Sequence, residues 1–469
     1  MAICGVLDVR FLRVIILGTA FMFLFSAFQT VSMAEESILD GARRESNGTF
    51  HGDGYTSLAT VYAVFAVSNW AAPSIVSILG PILSMVLGAI CYFLFVISFL
   101  KPMTATLYIA SVLVGVGAAV IWTAQGNYLT INSDSTTISR NSGVFWALLQ
   151  MSLFLGNMYV YFKFGGEVII TAATRTTLFI VLSSAAVAGI VFFLILICIR
   201  VSDEDFITIN PRRKSESNTD SMTESLISTA SSSTDVDTSS SENSVPAGPL
   251  EAFKNSIHLM GTPNMLLLSI TFAYTGFELT FFSGVYGTMA GHTQAFGVDA
   301  KRYIGLIGIF IGVGEVLGGA VFGLLGSRTV KYGREPIVFF GFFVHMLCFY
   351  LAFLYYPEDS PLRETFGETY VTPNEYVAVV VGFLLGLGDS SYNTQIFSIL
   401  GDAYKKDSAP AFALFKFIQS LAAAAGFFYS THLLLPWQLL ILVITNFMAV
   451  LAFFVVEWRT TRRRDYSVL

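Results

Sequence analysis

Apolar residues in this chain gather into long runs, each broken by a short polar segment. An α-helix rises about 1.5 Å per residue, so about 20 apolar residues cross the hydrocarbon core of a bilayer. Twelve segments meet that measure. Six precede residue 200: Phe11–Met33, Tyr55–Leu79, Pro81–Leu100, Thr104–Ala124, Ser142–Phe162 and Thr176–Ile199. Six follow residue 262: Pro263–Ala290, Tyr303–Leu325, Pro336–Tyr356, Glu375–Phe397, Ala409–Thr431 and Leu435–Trp458. The pattern predicts an all-α membrane protein of twelve transmembrane helices in two pseudo-symmetric six-helix bundles. Residues 1–200 form the first bundle, 201–262 a linker, 263–458 the second bundle and 459–469 a tail.

The halves echo one another. Gly115-Val-Gly117 precedes Trp122-Thr-Ala-Gln125 in the fourth segment, and Gly386-Leu-Gly388 precedes Tyr392-Asn-Thr-Gln395 in the tenth. Gly88 precedes Tyr92 in the third segment as Gly341 precedes His345 in the ninth. Two parallel six-span repeats about an axis along the membrane normal are a transporter architecture.

Composition agrees. The 469 residues are 54% hydrophobic and 12% charged, against about 25% charged in soluble domains. No basic stripe suggests nucleic acid, and the expected partners are the lipid bilayer and either a small solute or another membrane protein. No metal spacing, nucleophile elbow or phosphate-cradling loop is present, so neither enzymatic chemistry nor a cofactor is expected. The four cysteines, Cys4, Cys91, Cys198 and Cys348, lie in or beside apolar segments and imply no disulfide framework.

Orientation follows from Lys and Arg. With both termini cytosolic, seventeen of the 26 basic residues fall on the cytosolic side, as the positive-inside rule requires. The sequon Asn47-Gly48-Thr49 then faces the opposite side, where Asn47 is a glycosylation candidate. A cleaved leader ending near Ala34 would leave an odd number of spans, so the first segment is expected to stay. Ser215–Ser244 is rich in Ser, Thr, Asp and Glu; it has little to bury and is expected to be a disordered cytosolic tether. The tail Tyr466-Ser-Val-Leu469 fits a Y-x-x-apolar sorting signal, consistent with the plasma membrane or an endosomal or lysosomal compartment.

Ionisable groups inside a span cost about 2.5–3.5 kcal/mol each on insertion scales and are functional candidates. Glu278, Glu315, Asp389, Lys416 and His345 qualify. Glu278, Glu315 and Asp389 suit a proton relay or a charged solute; a buried carboxyl bonded to a neighbouring backbone is the competing reading. Gln125 and Gln395 occupy matching repeat positions and suit a solute site or interhelical glue. Lys416 is expected to snorkel to the cytosolic interface, and His345 to be a satisfied core histidine.

The loop after the eighth segment reads Gly323-Leu-Leu-Gly326-Ser327-Arg328-Thr-Val-Lys-Tyr-Gly333-Arg334. It resembles the G-x-x-x-D-R-x-G-R signature of the major facilitator superfamily, with Ser327 at the Asp position and a longer gap before Gly333-Arg334. Trp70-Ala-Ala-Pro73, Leu79-Gly80-Pro81, Trp122–Thr130 and Gly386-Leu-Gly388-Asp389 are similar to the Unc-ninety-three-like branch of that superfamily. The resemblance implies the major facilitator fold and a cytosolic gating loop carrying Gly323, Arg328, Gly333 and Arg334. It also implies either a solute carrier with a site between the halves or a non-transporting regulator or escort of channels or receptors.

Overall fold

The computed structural model describes residues 9–133, 137–166, 170–199, 257–324, 333–404 and 408–468. Most of the linker, together with Arg328 and Leu469, lies outside the described residues, and Tyr466 falls at the end of the last helix.

The helices are α1 (Val9–Glu45), α2 (Gly54–Ser68), α3 (Ala72–Leu79), α4 (Pro81–Ser98), α5 (Thr104–Ile131), α6 (Ile138–Lys163) and α7 (Ala172–Cys198), then α8 (Pro263–Thr280), α9 (Tyr286–His292), α10 (Ala300–Leu324), α11 (Glu335–Tyr355), α12 (Glu375–Ala403), α13 (Ser408–Ser430) and α14 (Leu435–Val468). A π-helical turn, Phe281–Val285, joins α8 to α9, and a 3₁₀ segment, Gln294–Asp299, leads into α10. Their starts follow local chemistry. The Asp53 side chain caps α2, Thr171 caps α7 and Asn374 caps α12, each accepting a backbone N–H of the first turn. Proline stands in the first turn of α4 and α8, where its missing N–H costs nothing.

Ten helices of the described residues are long and apolar enough to cross a membrane, or eleven if the bent pair α2 and α3 counts as one span. The twelve segments read from the sequence differ at two places. The second is broken at Asn69–Ala71 and bends by 70°. The tenth, α12, has 29 residues, but its polar stretch Asp389–Gln395 leaves it outside the set by composition. The first helix also runs beyond the predicted Met33 to Glu45, with no Pro or Gly between Met33 and Gly41.

Packing recurs along the chain. α1 packs on α6 and α7, α2 on α5, α4 on α5 and α7. Later, α8 packs on α13 and α14, α10 on α12, α11 on α12 and α14. Small residues set these crossings, since apolar lipid supplies little drive for helices to associate and close approach supplies dispersion. A Cβ on Gly117 would stand 3.1 Å from the Gly88 carbonyl oxygen, and one on Gly341 would stand 3.4 Å from that of Gly388. The glycines singled out as a repeat therefore hold equivalent crossings. The two groups meet through α6 against α10, α2 against α13, and α1 against the π-turn and α9.

Candidate functional site

Five helices bring the predicted ionisable residues of the second half together. α8 carries Tyr274, Thr275 and Glu278; α11 carries His345; α12 carries Asp389 and Asn393; α13 carries Lys416 and Gln419; α10 carries Glu315. Glu278 and His345 are fully enclosed. His345 fits against α12 only because residue 388 is glycine, where a Cβ would stand 2.2 Å from the imidazole Nε2.

The imidazole links two groups. Its Nδ1 is 2.5 Å from the Tyr274 hydroxyl. Its Nε2 faces two acceptors, the Leu385 carbonyl at 3.3 Å and Glu278 Oε1 at 3.4 Å. Nε2 therefore carries the ring proton, and Nδ1 accepts from Tyr274; the assignment follows from the partners. Tyr392 stacks on the ring with centroids 5.8 Å apart and donates to Asn446 Oδ1 at 2.6 Å.

Glu278 has no hydrogen bond of good geometry to either oxygen among the described residues. Its carboxyl is a neighbour of the Asp389 carboxyl. Two neighbouring carboxyls resist ionising together. Asp389 accepts from Asn393 Nδ2 at 2.7 Å. Lys416 does not snorkel, contrary to expectation: its Nζ donates to Gln419 Oε1 at 2.9 Å and lies 4.7 Å from the Phe415 ring centre. Gln419 passes the chain to Thr275 Oγ1 at 3.2 Å. The reason is the neighbourhood: Asp389 supplies charge and Gln419 an acceptor, so the ammonium is solvated by protein. Glu315 is buried where α10 crosses α12, beside Gly386, whose Cβ would stand 3.0 Å from the Glu315 amide nitrogen.

The other predicted residues stand apart. Gln125 is buried on α5, and Gln395 bonds Thr394 within α12, leaving its carbonyl oxygen without a partner among the described residues. Asn47 occupies an exposed turn with φ 49°. Gly323 lies in the last turn of α10, and Gly333, with φ 87°, turns the chain into Arg334. Arg334 is buried between α12 and α14: its Nη1 meets Glu457 at 3.0 and 2.8 Å, its Nη2 meets Asp402 at 2.9 Å, and its Nε meets Ser398 at 2.8 Å.

A second polar cluster escaped the sequence reading. At the end of the molecule bearing residue 50, Glu364 pairs with Arg44 of α1 at 2.9 Å and Lys301 of α10 at 2.7 Å. Tyr55 of α2 donates to the Pro361 carbonyl at 3.0 Å. His292 Nδ1 donates to the Ser360 carbonyl, also at 3.0 Å. Gly166 N–H donates to Asp299 at 3.1 Å. The bonds of Arg44, Tyr55 and Gly166 tie the first group of helices to the second. Deeper, Trp146 meets Phe397, and Trp70 meets Phe417. Toward the opposite end, the buried arginines are held within their own group: Arg13 by Asn132 and the Ile199 carbonyl, Arg334 by Glu457 and Asp402. The adjacent acids Glu35-Glu36 after an unbroken apolar run were the available signal.

Comparison with known proteins follows the fold. The family described as ion channel regulatory protein UNC-93 matches residues 46–454. UNC93-like protein MFSD11 of Xenopus tropicalis is 48% identical over 461 residues, covering 98% of each chain. The putative potassium channel regulatory protein unc-93 of Caenorhabditis elegans is 25% identical, covering 93% of this chain and 60% of its own. A solved POT family transporter in complex with 5-aminolevulinic acid superposes with a TM-score of 0.63 at 10% identity, covering 96% of each chain, which shows a shared fold. This multi-pass membrane chain belongs to the UNC-93 family.

Proposed function

We propose that this protein is a proton-linked carrier of a small solute, built as twelve spans in two six-helix bundles with both termini cytosolic. The solute passes between the halves without covalent change. The recurring helix pairs support two bundles. The one-sided polar closure supports alternating access, because the halves are tied at one end through Arg44, Glu364, Lys301 and Tyr55. The observation that carries the proton link is the enclosure of the Glu278 carboxyl, a neighbour of Asp389, with no hydrogen bond to either oxygen among the described residues. Glu315 lies close enough to act on the same pair.

The test is proton binding first and flux second. Purified protein titrated against an indicator dye is expected to take up at least one proton more than Glu278→Gln does. In vesicles with an imposed pH gradient, a solute screen is expected to show uptake that falls to background in Glu278→Gln and Glu315→Gln at wild-type protein levels. Wild-type flux in both variants would sink the proton link.

A second reading has its own support. The matched family's description and the C. elegans relative's name both speak of channel regulation. On that reading the chain is a non-transporting regulator or escort, and mild-detergent purification from native cells yields a near-stoichiometric channel or receptor.

The proposed topology has a direct check. Glycosidase treatment is expected to increase the gel mobility of the wild-type protein and leave Asn47→Gln unchanged. A glycan-free Asn47 together with cytosolic protease access at Gly48 would reverse the orientation.

A further inference from the structure

The closed end holds a buried acid that the Glu278 cluster does not use. Glu35 of α1 is 0% exposed, and neither carboxyl oxygen has a hydrogen bond of good geometry among the described residues. Ser57 of α2 stands beside it. The Ser57 hydroxyl lies 2.9 Å from Ser111 Oγ on α5, and Ser111 donates to the Leu107 carbonyl at 2.8 Å. A carboxylate taken out of water with no donor bonded to it is costly, so this enclosure favours the neutral acid.

The surrounding charges agree. Glu36 on the same helix and Asp53 before α2 both act on Glu35, and both are acids. The nearby cation Arg43 is shared among Glu36, Asp40 and Asp53. Of the tyrosines on the packed helices, Tyr55 of α2 and Tyr108 of α5 are near this end, and Tyr62 and Tyr128 stand further along the same helices. Across the interface, Lys301 pairs with Glu364 and His292 bonds Ser360.

Position couples Glu35 to closure. Its neighbour Glu36 accepts the Gly54 N–H at 2.7 Å, and a Cβ on Gly54 would stand 2.7 Å from the Glu36 nitrogen. The next residue, Tyr55, makes the bond to Pro361 across the halves.

We infer that Glu35 is a second proton site, separate from the Glu278 cluster, and that its bound proton holds this end of the molecule shut. Release of that proton to water leaves two adjacent carboxylates at the α1–α2 joint. Their repulsion displaces Gly54 and Tyr55 and frees Pro361. The inference deepens the carrier reading and rests on it: the transported proton gates the end through which it leaves.

Pulsed electron-spin distances in lipid nanodiscs test this. Labels at Gly48→Cys and Phe366→Cys, in full-length protein with the four native cysteines replaced by alanine, flank the closure. Gly48 has open space around it, and Phe366 is 82% exposed. The distance is expected to widen from acid to alkaline buffer. Glu35→Gln is expected to stay narrow in both. Asp53→Asn, which removes a neighbouring negative charge and keeps a capping side chain, is expected to widen at lower pH than wild type. A wild-type distance indifferent to pH, or wild-type widening in Glu35→Gln, overturns the inference. Should Glu35→Gln fail to fold, an unchanged midpoint in Asp53→Asn overturns it. Glu278→Gln separates the two claims. Flux lost there with normal widening in Glu35→Gln leaves the carrier reading and removes this site. Flux retained there with widening lost in Glu35→Gln does the reverse.

Discussion

Arg334→Met is expected to destabilise the protein by about 3–5 kcal/mol, the cost of breaking a buried ion pair from one side. The guanidinium is buried and spends all three nitrogens on Glu457, Asp402 and Ser398. Glu457 is itself buried, so the substitution leaves a carboxylate without a counterion in a poorly solvated place. Thermal unfolding in detergent, followed by the monodisperse fraction, reads the loss. Two companion variants identify the cause. Arg334→Lys keeps the charge but cannot bond two oxygens of Glu457 while reaching Asp402 and Ser398, so it is expected to fall between wild type and Arg334→Met. The double variant Arg334→Met with Glu457→Leu removes both charges and is expected to recover much of the loss. A wild-type melting temperature in Arg334→Met would show that water reaches Glu457 and that the pair contributes little.

Gly314→Ala and Gly386→Ala are expected to cost about 3 kcal/mol or more each, at the upper end of overpacking effects. A Cβ on Gly314 would stand 2.1 Å from the Phe383 carbonyl oxygen, and one on Gly386 would stand 2.1 Å from that of Ile311. Both obstacles are backbone, so no rotamer change relieves them and α10 must move away from α12. The move also displaces Glu315, whose amide lies against Gly386, so proton binding is expected to fall with stability. Gly319 on the same helix supplies the control. A Cβ there meets nothing within 4 Å, and Gly319→Ala is expected to be neutral or to stabilise by up to about 1 kcal/mol through helix propensity. Equal effects at Gly314 and Gly319 would refute close packing as the cause.

Much of the architecture was legible because a bilayer reduces folding to a few visible constraints. A long apolar run must be helical to satisfy its own backbone, so the helices of both halves could be drawn from length alone. The glycine echoes, Gly88 and Gly117 against Gly341 and Gly388, marked real crossings because close helix packing in lipid selects small residues locally. Glu278, Glu315 and Asp389 stood out for the same reason: a carboxyl inside an apolar run is conspicuous against its neighbours.

Other features depend on distant partners. Lys416 looked free to reach the interface, yet Gln419 and Asp389 hold it inside, and Asp389 comes from a different helix. His345 bonds Tyr274 across 71 residues of sequence, and its other ring nitrogen faces Glu278. The bend between α2 and α3 likewise had no clear local mark beyond Pro73.

The sequence by itself determined that this chain lives in a membrane, that it is helical, which ionisable residues stand within apolar runs, and which glycines recur at matching spacing. Those are properties of single segments, set by hydropathy, length and local spacing. Only the tertiary structure decided which charges meet, which end of the molecule is tied shut, and that Glu35 is enclosed with Ser57 beside it. The apolar run before Glu35 ends in two acids, and their solvation depends on what α2 and α5 bring against them. Burial is a property of contacts between segments, and a linear pattern of residues does not contain it.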